Sequence, residues 1–111
     1  MLKENWKDIK GYEGLYQISN FGRVLNVKRN KIKSIGYERY AKTILCKNNI
    51  KYNISIHRLV AEAFLNNPNN YPVVMHLDND TYNNHISNLQ WGTQKMNMQQ
   101  SVQEGRFRKN Y

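Results

Sequence analysis

The sequence predicts an α+β fold, with two amino-terminal β-hairpins, a helix, and then a strand, a long connection, a second strand and a closing helix, all in one small domain. Short apolar runs separated by Asn- and Gly-bearing turns fill the first half, and helical spacing begins at His57. A chain of 111 residues is the size of one domain with a modest core, so two independently folded units are not expected.

The elements follow in order. Leu15-Tyr16-Gln17-Ile18 and Arg23-Val24-Leu25 flank Ser19-Asn20-Phe21-Gly22, whose Asn and Gly suit a turn, which gives the first hairpin. After a basic stretch through Lys28, Arg29, Lys31 and Lys33, the segment from Tyr40 to Cys46 and the alternating Tyr52, Ile54 and Ile56 flank Asn48-Asn49 as the second. From His57 the period changes: Leu59, Val60, Ala63 and Phe64 share one helical face, and Asn66-Asn67-Pro68 ends that helix. Val73-Val74 and Leu89-Gln90-Trp91 read as short strands, and Gln94 to Glu104 as a helix closed by Gly105.

Charge narrows the partner. The formal charge of +9 and a pI near 9.8 point to a polyanion, with nucleic acid first. Residues 1–58 carry +9, residues 59–105 carry −3 and residues 106–111 carry +3. Gripping is therefore expected from the first half and the tail, through Arg23, Lys28, Arg29, Lys31, Lys33 and Arg39 and through Arg106, Arg108 and Lys109. A single Cys46 supports neither an internal disulfide nor a zinc knuckle, so no zinc is expected. No apolar run approaches the roughly 20 residues that span a bilayer, and no hydrophobic signal region follows Met1, so a cytoplasmic protein without a membrane partner is expected. Nothing in the composition names a protein partner.

The run Met75-His76-Leu77-Asp78, followed by Asn83-Asn84, Asn88-Leu89-Gln90-Trp91, Thr93 and Asn97, resembles the active-site stretch of an HNH nuclease. Ile56-His57-Arg58-Leu59-Val60-Ala61-Glu62-Ala63-Phe64 resembles the helix ahead of that motif in the phage and intron-encoded branch. The stretch from Trp6 to Val24 is similar to the module often found ahead of HNH motifs in homing endonucleases. The resemblance implies a ββα-metal motif in the last third. It divides the chain into a basic β-rich DNA-binding module at 1–50, an HNH module at 51–105 and a basic tail at 106–111.

It also implies the chemistry. His76 is the general base, since an imidazole with an ordinary pKa near 6.5 suits proton abstraction near neutrality. Asn88 is expected to fix that imidazole, and Asn97 to offer its amide oxygen to Mg²⁺ or Mn²⁺, hard cations that prefer oxygen. The residue before the base is usually Asp or Asn in this family, and here it is Met75, whose soft thioether is a poor ligand for such ions. Two functions follow: a metal-dependent endonuclease nicking double-stranded DNA, or a catalytically weakened HNH-derived DNA-binding or regulatory protein of phage origin. An RNA target stays open on charge alone. His57 reads as a cap or core hydrogen-bonder, His85 as a loop residue, and Trp6 and Trp91 as core anchors.

Overall fold

The computed structural model describes residues 3–103, with side chains described as far as residue 100. The first strands are β1 (Trp6–Asp8), β2 (Tyr16–Ser19), β3 (Val24–Asn26) and β4 (Lys31–Ile32), paired antiparallel in that order. Ile18 lies opposite Val24, and both are fully buried. The turn between them depends on Gly22, whose φ of +87° only glycine adopts without strain and whose N–H donates to the Ser19 carbonyl at 3.0 Å. The Ser19 hydroxyl closes the turn by accepting from the amides of Phe21 and Arg23, each at 3.1 Å.

The second sheet is β5 (Gly36–Tyr37), β6 (Ala41–Lys47) and β7 (Ile50–Ser55). Asn48 and Asn49 sit at φ +52° and +63°, the left-handed pair that a two-residue hairpin loop requires and that Asn tolerates. Lys47 therefore faces Ile50, and the register runs to Lys42 opposite Ser55. A boundary between residues 50 and 51 would cut this hairpin at the first residue of β7. The expected division into 1–50 and 51–105 does not correspond to a break in the fold.

Helix α1 (Ile56–Phe64) begins where the β7 pattern ends. Ile56, Leu59 and Val60 fall on one face at the three- and four-residue spacing of a helix and are buried. Beyond Pro68 the chain is folded back by Asn67, whose side chain accepts from the Tyr71 amide and donates to the Tyr71 carbonyl, both at 2.8 Å. The third sheet pairs β8 (Val73–His76) with β9 (Leu89–Gly92), Val74 opposite Trp91 and His76 opposite Leu89. Helix α2 (Gln94–Gln103) starts at Thr93, whose hydroxyl caps it by accepting from the Met96 amide at 3.1 Å.

One buried cluster joins all of this. Ile18 and Val24 of the first sheet, Leu45 of the second, Ile56 and Val60 of α1, and Leu89 and Trp91 of β9 belong to a single core. Helix α1 touches strands of all three sheets, so the basic β-rich half and the last third are built on a shared interior. Gly105, expected to close α2, and the tail residues Arg106, Arg108 and Lys109 lie outside the described residues. Among the described residues, no helix is long and apolar enough to cross a membrane.

Candidate active site

His76 is the last residue of β8, and strand alternation sends it and Met75 to opposite faces. Its imidazole is buried, at 6% exposure, and its Nε2 lies 2.7 Å from Oδ1 of Asn84, which is buried to the same degree. Asn88, expected to fix the imidazole, does a different job. Its Oδ1 accepts from the Asp78 amide at 3.0 Å, and its Nδ2 donates to Asp78 Oδ1 and to the Asn83 carbonyl, both at 2.9 Å. With both amide protons spent on the connection, Asn88 organises the loop that carries Asn84.

That loop is tightly wound. The Leu77 amide donates to the Asn88 carbonyl at 2.8 Å, and the Asn79 amide turns back to the His76 carbonyl at 3.0 Å with Asn79 at φ +64°. Asp78 accepts from Asn83 Nδ2 at 2.9 Å and from the Asp80 amide at 2.8 Å. The hydrogen bond from Asn83, followed by those from Asp80 and Asn88, holds its carboxyl below the usual aspartate range. Asp78 is thus a turn residue, already committed to donors within the loop. His85 caps the short 3₁₀ turn Ile86–Asn88 through Nδ1, which accepts from the Ser87 amide at 3.2 Å.

A stack of rings covers His76. The ring centroid of His57, in the first turn of α1, lies 4.9 Å from that of His76, and Tyr40 lies 5.2 Å from His57 and 6.4 Å from His76. Burial, the neighbouring His76 and then Arg58 push the His57 pKa down to about 4, so its ring is neutral near pH 7. Its Nδ1 is buried without a hydrogen-bond partner. His57 is therefore a packed ring at the site, with no cap hydrogen bond from its buried nitrogen.

Helix α2 approaches the same strand end. Gln100 donates from Nε2 to the His76 carbonyl at 2.8 Å and to Asn79 Oδ1 at 3.0 Å. Asn97 lies three residues earlier, on the same helix face, and its amide makes the first full helical bond to the Thr93 carbonyl at 3.0 Å. Met75 takes the other face of β8 and is 6% exposed. Its sulfur fills the space beside Gly92 so closely that a Cβ there would fall 2.5 Å from Sδ, with the Met96 methyl 3.5 Å away. Position 75, where the resemblance expects an oxygen ligand, thus holds a thioether packed on a glycine, with the Met96 methyl on the same side of that glycine. Among the described residues, no cluster of three or more His, Cys, Asp or Glu side chains is set to hold a metal.

Comparison with known proteins fits this geometry. The NUMOD4 motif matches residues 4–76, from the segment ahead of β1 through His76. The chain belongs to the NUMOD4 family. Its relatives include DNA endonuclease I-HmuI of Bacillus phage SP01, 41% identical over 105 residues that cover 90% of this chain and 59% of the phage protein. They also include the HNH endonuclease L245 of Acanthamoeba polyphaga mimivirus, 46% identical over 85 residues, 75% of this chain and 26% of that protein. A solved structure described as DNA binding and cleavage by the HNH homing endonuclease I-HmuI superposes with a TM-score of 0.84 at 38% identity, covering 91% of this chain and 59% of that one. The small mixed fold with two helices is therefore that of an HNH endonuclease, and this NUMOD4 chain spans about a quarter to three-fifths of the relatives it matches.

The basic residues of the NUMOD4 chain divide into two groups. Lys28, Arg29, Lys31 and Arg39 are exposed. Arg23 is committed elsewhere: Nε and Nη2 donate to the two Glu4 carboxylate oxygens at 2.8 and 2.6 Å, and the guanidinium lies over Trp6. This pairing holds the Glu4 carboxyl below its ordinary range. Lys33 is half-buried with its ammonium over Tyr16, and it lines a groove with Lys42 and Glu38. Sequence reasoning overlooked Asn84, Gln100 and Tyr40. Only Asn84 left a signal, as half of the Asn83-Asn84 pair, and nothing in the pair says which member turns inward.

Proposed function

We propose that this chain is a metal-dependent DNA endonuclease of the HNH homing type, nicking one strand of double-stranded DNA in the cytoplasm of a bacterial or phage-infected host cell. The observation that carries the reading is a buried His76 at a strand end, with one ring nitrogen held at 2.7 Å by Asn84. His76 takes the proton of the attacking water. Asn97 is the one protein oxygen donor assigned to the cation, and Lys28, Arg29, Lys31 and Arg39 hold the phosphate backbone. Bound Mg²⁺ or Mn²⁺ would stabilise charge on the phosphoryl and departing 3′ oxygens. A single neutral donor suits a hard cation poorly on its own, so in this reading Asn97 would hold the ion only weakly and further oxygens would have to come from water and substrate. One such site addresses one strand at a time.

Plasmid nicking under titration with Mg²⁺ and Mn²⁺ tests this. Nicked circles are expected to accumulate at high metal concentration and to disappear in His76→Ala; equal nicking by that variant refutes the assignment. The packing of Met75 against Gly92 and Met96 favours a second reading, in which cutting is lost and DNA binding is kept. Salt-dependent duplex binding with no nicking at any concentration of either ion would select it.

A further inference from the structure

We infer that the amino-terminal turn at residues 20–22 is a working part of the cleavage site: it clamps Asn84, and Asn84 fixes which nitrogen of His76 is basic. The inference rests on His76 being the general base. The carboxamide oxygen of Asn84 has lone pairs and no proton, so the hydrogen in the 2.7 Å contact belongs to Nε2. A neutral imidazole carries one N–H, and Nδ1 is therefore the unprotonated nitrogen. Were Asn84 absent, the two tautomers would exchange freely, and a share of the enzyme would present an N–H to the water it must deprotonate. Asn84 is a positioning residue in this scheme.

Three contacts hold Asn84 and the two residues after it from the amino-terminal side. A Cβ on Gly22 would lie 3.0 Å from Asn84 Cβ and 3.2 Å from its carbonyl oxygen, so a side chain there would press on Asn84 and shift it by a few tenths of an ångström. The Phe21 ring stacks on His85 with centroids 4.9 Å apart, and the Asn20 carbonyl accepts from the Ile86 amide at 2.9 Å. Asn20 is itself braced, since its side chain accepts from the Asn5 amide at 2.8 Å and donates to the Lys3 carbonyl at 3.0 Å. Residues 84, 85 and 86 are each gripped by one residue of the turn. The basic half of the chain is thus a wall of the site as well as a handle for DNA.

Long-range ¹H–¹⁵N spectra of the imidazoles in the ¹⁵N-labelled full chain, recorded above the ordinary histidine pKa, test this without requiring activity, His76→Ala assigning the signals. The native chain is expected to show His76 as the pure Nε2–H tautomer. Asn84→Ala should give a tautomer mixture, and Asn84→Asp, which keeps the acceptor, should restore the single form. Gly22→Ala should behave like Asn84→Ala. Phe21→Leu removes the stacking on His85 without adding backbone strain and carries the same expectation, should Gly22→Ala fail to fold. In plasmid nicking, Asn84→Ala should lower kcat roughly 10–100-fold with KM for DNA unchanged, as for other residues that orient a working ligand. A His76 tautomer indifferent to Asn84 overturns the proposal, and one that responds to Asn84 but to neither turn variant overturns the clamp. A native chain that nicks nothing while its tautomer follows Asn84 retires the nuclease reading alone.

Discussion

Replacing Met75 with Asp restores the oxygen ligand that the HNH pattern expects, and its consequences are measurable in two ways. Met75 is 6% exposed and packs on Gly92 and Met96, so losing its side chain costs about 2–5 kcal/mol. A carboxylate placed there without a partner adds its own desolvation penalty. Taking about 3 kcal/mol, and about 4–8 °C per kcal/mol for a domain of this size, the variant should melt about 12–24 °C below the native chain in EDTA. A cation bound to the new carboxylate and Asn97 at 100 times its Kd returns about 2.7 kcal/mol, or about 11–22 °C. Thermal melts by circular dichroism, in EDTA and in saturating Mg²⁺, should therefore show a large metal-dependent rise for Met75→Asp and little for the native chain. Nicking at limiting Mg²⁺ should rise at least about tenfold, since each 1.4 kcal/mol of added stabilisation of the transition state is a factor of ten. A variant whose melting ignores Mg²⁺ and whose nicking does not increase would show that the missing ligand is not the limitation.

Three further outcomes are expected. The His57 pKa of about 4 lies below the ordinary value near 6.5, so the unfolded chain binds a proton that the folded chain refuses, and stability should fall as pH drops from 6.5 towards 4. Discounted for the partial exposure of the ring, the loss is about 2–3 kcal/mol; urea midpoints at both ends of that window should differ in the native chain and much less in His57→Phe, and equal behaviour of the two chains would contradict it. Changing Lys28, Arg29 and Lys31 together to Gln should weaken duplex binding and reduce the slope of log K against log salt by about 2.7; an unchanged slope removes them from the phosphate contacts. Arg23→Gln should instead lower the melting temperature through the loss of its Glu4 pair and Trp6 contact while leaving the salt slope nearly intact, and a slope change matching one lost phosphate contact would return Arg23 to the DNA surface.

Much of this molecule was legible before any coordinate. The hairpins at Ser19–Gly22 and Asn48–Asn49, the helix expected from His57, the short strand at Val73-Val74 and the helix from Gln94 all rest on local rules. Left-handed turns select Gly and Asn, and apolar spacing selects strand or helix. Those rules act over a few residues, so one sequence displays them. The order of His76, Asn88 and Asn97 carried the resemblance on which the candidate site rests.

Partnership was not visible, because it depends on which side chains meet after the chain has closed on itself. Adjacent asparagines at 83 and 84 look alike in sequence, yet the fold turns Asn83 to Asp78 and Asn84 to His76. Arg23 reads as one more basic residue until Glu4, nineteen positions away, takes its guanidinium. The division at residue 50 followed from the resemblance, but the β6–β7 pairing crosses it and the core around α1 is shared by both sides. Composition and short-range pattern determined the elements and the basic character of the chain, since each follows from backbone preference or side-chain chemistry within a few residues. Only tertiary packing decided that Asn84 rather than Asn88 holds the imidazole, and that a turn of the amino-terminal sheet holds Asn84, because a hydrogen bond between distant residues is fixed by where the folded backbone places donor and acceptor.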